Sequence, residues 1–253
     1  MTHTISTRKI IRVFQFLYGT DAPWLVFKNY FKTYLLKKYK PLSNSALHSF
    51  RALAKSGDFS NDWFTGNIPL WEKNIQTLIS RQGRKDFSAL EIGSWEGLSS
   101  LYMMSNLPIS NLTCVDTWEG ADEHQGTAAV LTIEDKFDHN LKKYSSMIKK
   151  YKGTSYQFFN QSATNEKYDL IYIDGSHFSD DVMIDAIKAF EHLNVGGVLI
   201  FDDYLWIHYK NLKDNPAGAI NSFLRLKKNN YTILSVDYQL TIQKISEGRE
   251  PLL

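Results

Sequence analysis

Cysteine is nearly absent from this chain. Cys114 is the only one among 253 residues, so no internal disulfide can form, which fits a reducing, cytoplasmic setting. No stretch of about 18 residues is apolar and free of charge, so no helix is expected to span a bilayer. The opening MTHTISTRKIIRVFQFLYG has no long apolar core and no small-residue cleavage site, so no secretory signal is expected there. Charge of one sign is also lacking: the formal net charge of +2 gives no ground for nucleic acid as a partner. Internal repeats and low-complexity tracts are missing, which removes solenoids and linkers. The spacing G-x-G-x-x-G is missing too. Where a second glycine would let a pyrophosphate approach the backbone, Trp95 stands, which argues against a nucleotide-dependent oxidoreductase.

What is present is enough apolar material for a sizeable core, 43% of residues, and wholesale disorder is excluded. Residues 1–85 read mostly as helices, a helical N-terminal extension ahead of a domain at 86–253. Asp21 caps a helix that begins near Pro23. Trp24, Phe27, Phe31, Tyr34 and Leu35 recur on it at helical spacing, and Lys28, Lys32, Lys37 and Lys38 lie on its other face. Packing on the main domain with a solvated basic side is the expectation. A basic amphipathic helix resting peripherally on an anionic membrane, or a subunit interface in a homo-oligomer, are the alternatives. Ser45 to Lys55 and the stretch from Asn67 to Gly83 read as further helices. Trp63, Phe64 and Trp71 are expected in the core, although an aromatic loop there is also placed to form a lid.

From Phe87 the pattern alternates between strand and helix signals, which predicts an α/β fold with a doubly wound, mostly parallel sheet. Strands are expected at 88–93, 112–116, 155–159, 170–173 and 198–201. Helices are expected at 96–106, 133–144, 182–190 and 216–228, the third stopped by Gly196-Gly197. A polar site loop is expected at 117–131. Tyr231 to Val236 and Gln239 to Ile245 read as a closing antiparallel hairpin. Short apolar runs without polar alternation suit strands covered on both faces, and ligands gather beyond the carboxyl ends of such strands. Three features mark those ends: the glycine-bearing turn Glu91-Ile-Gly-Ser-Trp-Glu-Gly-Leu-Ser99, Asp116 closing the second strand, and the segments IDGSH (173–177) and FDDY (201–204). Gly93 permits a tight turn and Gly97 a close approach of backbone to ligand. Asp116 is placed for a ribose diol. If strands four and five are neighbours, Asp174, His177, Asp202 and Asp203 converge on one cleft.

ExGxxxGxS, the acid after strand two, IDGSH and FDDY, in this order, resemble class I S-adenosylmethionine-dependent methyltransferases. More narrowly they resemble the metal-dependent O-methyltransferases related to catechol O-methyltransferase and to macrolide-sugar O-methyltransferases. The resemblance covers about residues 65–245 and implies a Rossmann-like fold with S-adenosylmethionine as cofactor. It implies that Glu91, Gly93 and Ser99 bind the methionine end, together with Ser94, Trp95 and Gly97 of the same turn. It implies that Asp116 binds the ribose and that Ser162 lies near the adenine. Asp174 would face the cofactor and, with Asp202 and Asp203, hold a divalent cation, Mg²⁺. His177 matches the general-base position, where sugar-modifying relatives carry histidine. The implied acceptor is a hydroxyl of a sugar, a glycosylated metabolite or another vicinal diol. On the residues alone, His177 remains open between base and metal ligand. A non-catalytic cofactor-binding or membrane-associated module is the remaining alternative.

Overall fold

The computed structural model describes residues 23–39, 43–82, 86–120, 132–161 and 166–248. Ser162, His124, most of the 117–131 loop and the Asp21 cap lie outside them. The sheet has seven strands. β1 (Phe87–Ile92), β2 (Ile109–Asp116), β3 (Ile148–Lys152), β4 (Tyr168–Ile173) and β5 (Leu193–Phe201) run parallel, and β6 (Tyr231–Val236) and β7 (Leu240–Lys244) form the expected hairpin. Their spatial order is β3-β2-β1-β4-β5-β7-β6, with β7 antiparallel to β5. The order reverses between β1 and β4, where an open sheet leaves a crevice.

The period-2 alternation of the strands sorts their side chains into two cores. Leu90, Ile92, Ile171, Ile173, Leu199 and Phe201 point to one face. There α1 (Pro23–Tyr39), α6 (Ser155–Gln161), α7 (Ser179–His192) and α8 (Pro216–Leu226) cover them. Ala89, Leu112, Cys114, Leu170, Tyr172 and Ile200 point to the other. That face is covered by α2 (Ser45–Ala54), α3 (Ile68–Gln82), α4 (Leu98–Asn106) and α5 (Ile133–Leu141). Phe50, Phe64, Ile68, Trp71 and Ile75 belong to this second core, so the helices before β1 share it with the sheet. Trp63, by contrast, is exposed.

Three further sequence expectations fail. The third strand is Ile148–Lys152, and 155–159 is helical. The apolar run Tyr-Gln-Phe-Phe resembles a strand. Yet Thr154 and Gln157 form a reciprocal capping box, Thr154 N–H to Gln157 Oε1 at 3.0 Å and Gln157 N–H to Thr154 Oγ1 at 3.2 Å, which starts a helix. The true strand carries three lysines, the usual protection of a sheet edge. Second, α7 ends at His192, and Gly196-Gly197 lie inside β5. A Cβ at Gly197 would meet backbone oxygens of Asn194 and Asp169 at 2.9 and 3.0 Å, so the pair serves strand packing rather than helix termination. Third, α1 does not segregate aromatics from lysines. It packs on the sheet's edge through Val26 and Thr33, whose Oγ1 accepts the Val236 N–H at 3.4 Å. Trp24 and Phe31 point outward beside Lys28 and Lys32.

Candidate active site

The strand ends are held level by backbone bonds that run past each strand. Gly93 N–H reaches Val115 O at 2.8 Å, Asp174 N–H reaches Ile92 O at 2.7 Å, and Asp202 N–H reaches Ile173 O at 2.9 Å. The glycine turn, Asp116, Asp174 and Asp202 therefore share one edge of the sheet at the reversal of strand order. Gly93 has φ +85°, and a Cβ there would fall 1.9 Å from the Asp174 carbonyl oxygen, so this turn is folded directly against the end of β4. Gly97, also left-handed at φ +84°, is needed for another reason. Its Cβ would meet Leu141 at 2.9 Å and Phe137 at 3.1 Å, so α5 packs there.

The turn divides into buried and open members. Glu91 is fully buried and accepts hydrogen bonds from Ser99 and Ser100, with the Cys114 thiol 3.6 Å away. Burial pushes its carboxyl up, and the two serine hydroxyls oppose that rise. Glu91 and Ser99 thus tie β1 to α4 from inside. Ser94 is buried too, while Gly93, Trp95 and Asp116 are partly open. One Asp116 oxygen accepts the amide N–H groups of Ser94 and Trp95, both at 2.8 Å, and the other accepts Trp118 N–H at 2.6 Å. Burial raises Asp116, and those amides counteract it. They also hold Trp95 and Trp118 at φ +48° and +53°, a conformation costly for aromatic residues.

On the far side of the crevice, Tyr172 and Asp174 share a face of β4. The Tyr172 hydroxyl donates to Asp174 at 2.9 Å and also approaches Asp202. Asp202 accepts the Asp203 N–H at 2.8 Å and Gln239 Nε2 at 3.1 Å. Asp203 has φ +55°, and its carboxylate lies 2.8 Å from His177 Nε2. Asp174, His177 and Asp203 each bring a donor atom within 4.8 Å of the others. Asp202 stands behind them on Tyr172 and Gln239. Burial and the charges of Asp202 and Asp203 hold Asp174 well above the ordinary carboxylate value. Burial, then Asp203, pushes Asp202 up to about 6. Among the described residues no lysine or arginine pairs with these three carboxylates. Crowded oxygen donors of this kind fit a hard divalent cation.

Several residues around the site carry no motif. Trp206 stacks on the His177 ring at 4.4 Å, and Tyr209 stacks on Phe178 at 4.4 Å and meets Trp206 edge-on. Fully buried Asn215 fixes this loop by accepting the amides of His208 and Tyr209 and donating to the Tyr209 and Asn211 carbonyls. His208 itself is exposed. Trp63 lies 5.7 Å from Trp95, and its segment is latched to the turn. Ser60 donates to buried Glu96, which Lys136 pairs at 3.1 Å. Only Tyr172 was findable from sequence, since period 2 puts it on the side of Asp174. The others depend on loop conformation.

The reversed strand order and the glycine turn beside it give this chain the Rossmann-like fold of methyltransferases. Residues 90–204 match the family model described as a methyltransferase domain, and the chain carries that domain there. An uncharacterised protein of Acanthamoeba polyphaga mimivirus is 26% identical over 136 residues, 51% of this chain. The chain spans only 57% of the length of that relative. An O-methyltransferase from Bacillus cereus, solved with S-adenosylhomocysteine, superposes with a TM-score of 0.52 at 16% identity, over 87% of this chain and 100% of that one. The methyltransferase MycE of the mycinamycin biosynthetic pathway, solved with Mg, S-adenosylhomocysteine and mycinamycin VI, gives 0.53 at 15% identity, over 81% and 56%. At these identities the two structures establish the fold. No described helix is long and apolar enough to cross a membrane.

Proposed function

We propose that this chain is an O-methyltransferase assisted by a divalent cation, Mg²⁺, acting on a hydroxyl of a sugar, a glycosylated metabolite or another vicinal diol. The observation that carries this reading is the gathering of Asp174, His177 and Asp203 across the crevice from the Gly93 turn. Asp116 receives the ribose, and Gly93, Trp95 and Asp174 border the methionine end. Glu91 and Ser99 act through the turn they brace rather than by contact. Ser162 is retained for the adenine. Asp174, Asp203 and, behind them, Asp202 hold the cation. When bound, the sulfonium supplies the methyl group and the cation lowers the pKa of the acceptor hydroxyl. His177 takes the hydroxyl proton, and its bond to Asp203 and the stacked Trp206 ring hold the imidazole in place. The aromatic cluster of Trp206, Tyr209 and Phe178 beside His177 is the kind of apolar surface on which a sugar ring packs. MycE, solved with Mg and mycinamycin VI, shares the fold and lends support to a cation-assisted reaction on a small-molecule acceptor.

A second reading is favoured by the same geometry. Because a ring nitrogen of His177 lies with Asp174 and Asp203, the imidazole is also placed to be a cation ligand. Turnover measured as S-adenosylhomocysteine release over a panel of glycosides and catechols tests both. Activity should need Mg²⁺ and stop with chelator; full turnover in chelator removes the cation from the proposal. His177→Gln should lower kcat about 10²–10⁴-fold with Mg²⁺ affinity kept. Rescue by excess Mg²⁺ would assign His177 as a ligand instead.

A further inference from the structure

The outward face of α1 has no role in the site. Seen down the helix, Trp24, Leu25, Lys28, Phe31, Lys32, Lys38 and Tyr39 fall on one side, opposite Val26 and Thr33. Trp24 is 77% exposed, Tyr39 68%, Phe31 49% and Leu25 46%, and the three lysines are exposed as well. Isolated exposed apolar residues are ordinary, but a row of three aromatics on one helix is a patch. α1 carries four lysines and no acid over its 17 residues. Lys37 is the exception in direction, since it pairs with Asp237 and pins the helix to the β6–β7 turn. Apolar groups therefore occur on both sides of a helix that the described residues of the domain cover on only one.

We propose that this face binds peripherally to an anionic lipid bilayer, α1 lying flat with its aromatic rings at headgroup depth and Lys28, Lys32 and Lys38 on lipid phosphates and carboxylates. The charge pattern selects the occupant. A second copy of the chain would bring the same lysines against each other. Trp24 and Tyr39, rings with a polar edge, together with Phe31 and interleaved lysines, suit the boundary between acyl chains and anionic headgroups. Docking on β6 through Val26, Thr33 and Lys37 fixes which side faces the lipid.

Flotation of the full chain with phosphatidylcholine vesicles, with and without phosphatidylserine, is the test. The protein should rise only with phosphatidylserine, and salt should release it. Lys28→Gln and Lys32→Gln should each weaken partitioning about fivefold, while Lys149→Gln, at the opposite edge of the sheet, should leave it unchanged. Trp24→Ala with Phe31→Ala should abolish it at an unchanged melting temperature. Wild-type protein left in the bottom fraction, or equal losses from Lys149→Gln and Lys28→Gln, would overturn the proposal. So would light scattering that shows a dimer dissolved by Trp24→Ala with Phe31→Ala, or pull-down of the chain by an acidic protein with no flotation.

Discussion

Gly93 shows how little of a site is chemistry and how much is room. Its missing side chain is the space through which the end of β4 passes. Gly93→Ala would force a left-handed alanine, costing about 1–2 kcal/mol, and a clash with backbone that cannot swing aside. We expect a loss above about 2 kcal/mol in urea unfolding, with weaker S-adenosylmethionine binding because Asp174 must move. Asp116→Ala should also weaken cofactor binding, by about 1–3 kcal/mol in calorimetry. The amides of Ser94, Trp95 and Trp118 would lose their acceptor together with the ligand, so unchanged affinity would take Asp116 out of the site. Asp174, Asp202 and Asp203 were legible in sequence because each closes an apolar strand. The inward turn of Glu91 was not, because its partners Ser99 and Ser100 meet it only once α4 is formed.

Among the elements, the parallel strands were the most readable, since burial on both faces leaves uninterrupted apolar runs. β3 was missed because an edge strand rich in lysine lacks that run, and α6 was mistaken for it although the Thr154 and Gln157 box was there to be read. Against α6 lies Asp185 of α7, a carboxylate 2% exposed. Burial, opposed by a hydrogen bond from Ser155 and helped by Asp181, pushes it up to about 7 from its ordinary 3.8. The folded state thus holds this proton more tightly than the unfolded chain. Stability from this group is fully present below the ordinary value, falls as pH rises toward about 7, and is level beyond. Asp185→Asn should flatten that slope. Urea unfolding should find the variant more stable by roughly 2–4 kcal/mol at about pH 8 and little changed at about pH 4.

At the scale of the whole molecule, Gln239 joins parts that the sequence keeps far apart. Its Oε1 accepts the Trp71 indole N–H at 2.7 Å, and its Nε2 donates to Asp202 and approaches the Tyr172 hydroxyl at 3.4 Å. No motif announced this, because a glutamine in a hairpin turn is unremarked until the topology sets β7 beside β5. Gln239→Leu should cost roughly 1–3 kcal/mol in thermal melts by leaving buried polar groups without partners. A double-mutant cycle with Trp71→Phe should show coupling of about 0.5–3 kcal/mol; additive losses would mean that the two residues act separately. The same connection sets a timetable. Trp71 and Gln239 are 168 positions apart, so on a ribosome adding about 5–20 residues per second the tryptophan waits roughly ten to thirty seconds for its partner. Until β7 arrives, β5 is a bare sheet edge open to pairing with other chains, and Asp202 lacks the amide that holds it. The nascent protein can form its Gly93 turn early, but the acidic half of the crevice is among the last parts to close, and a stall in the β6–β7 hairpin would release a sticky half-built sheet to chaperones.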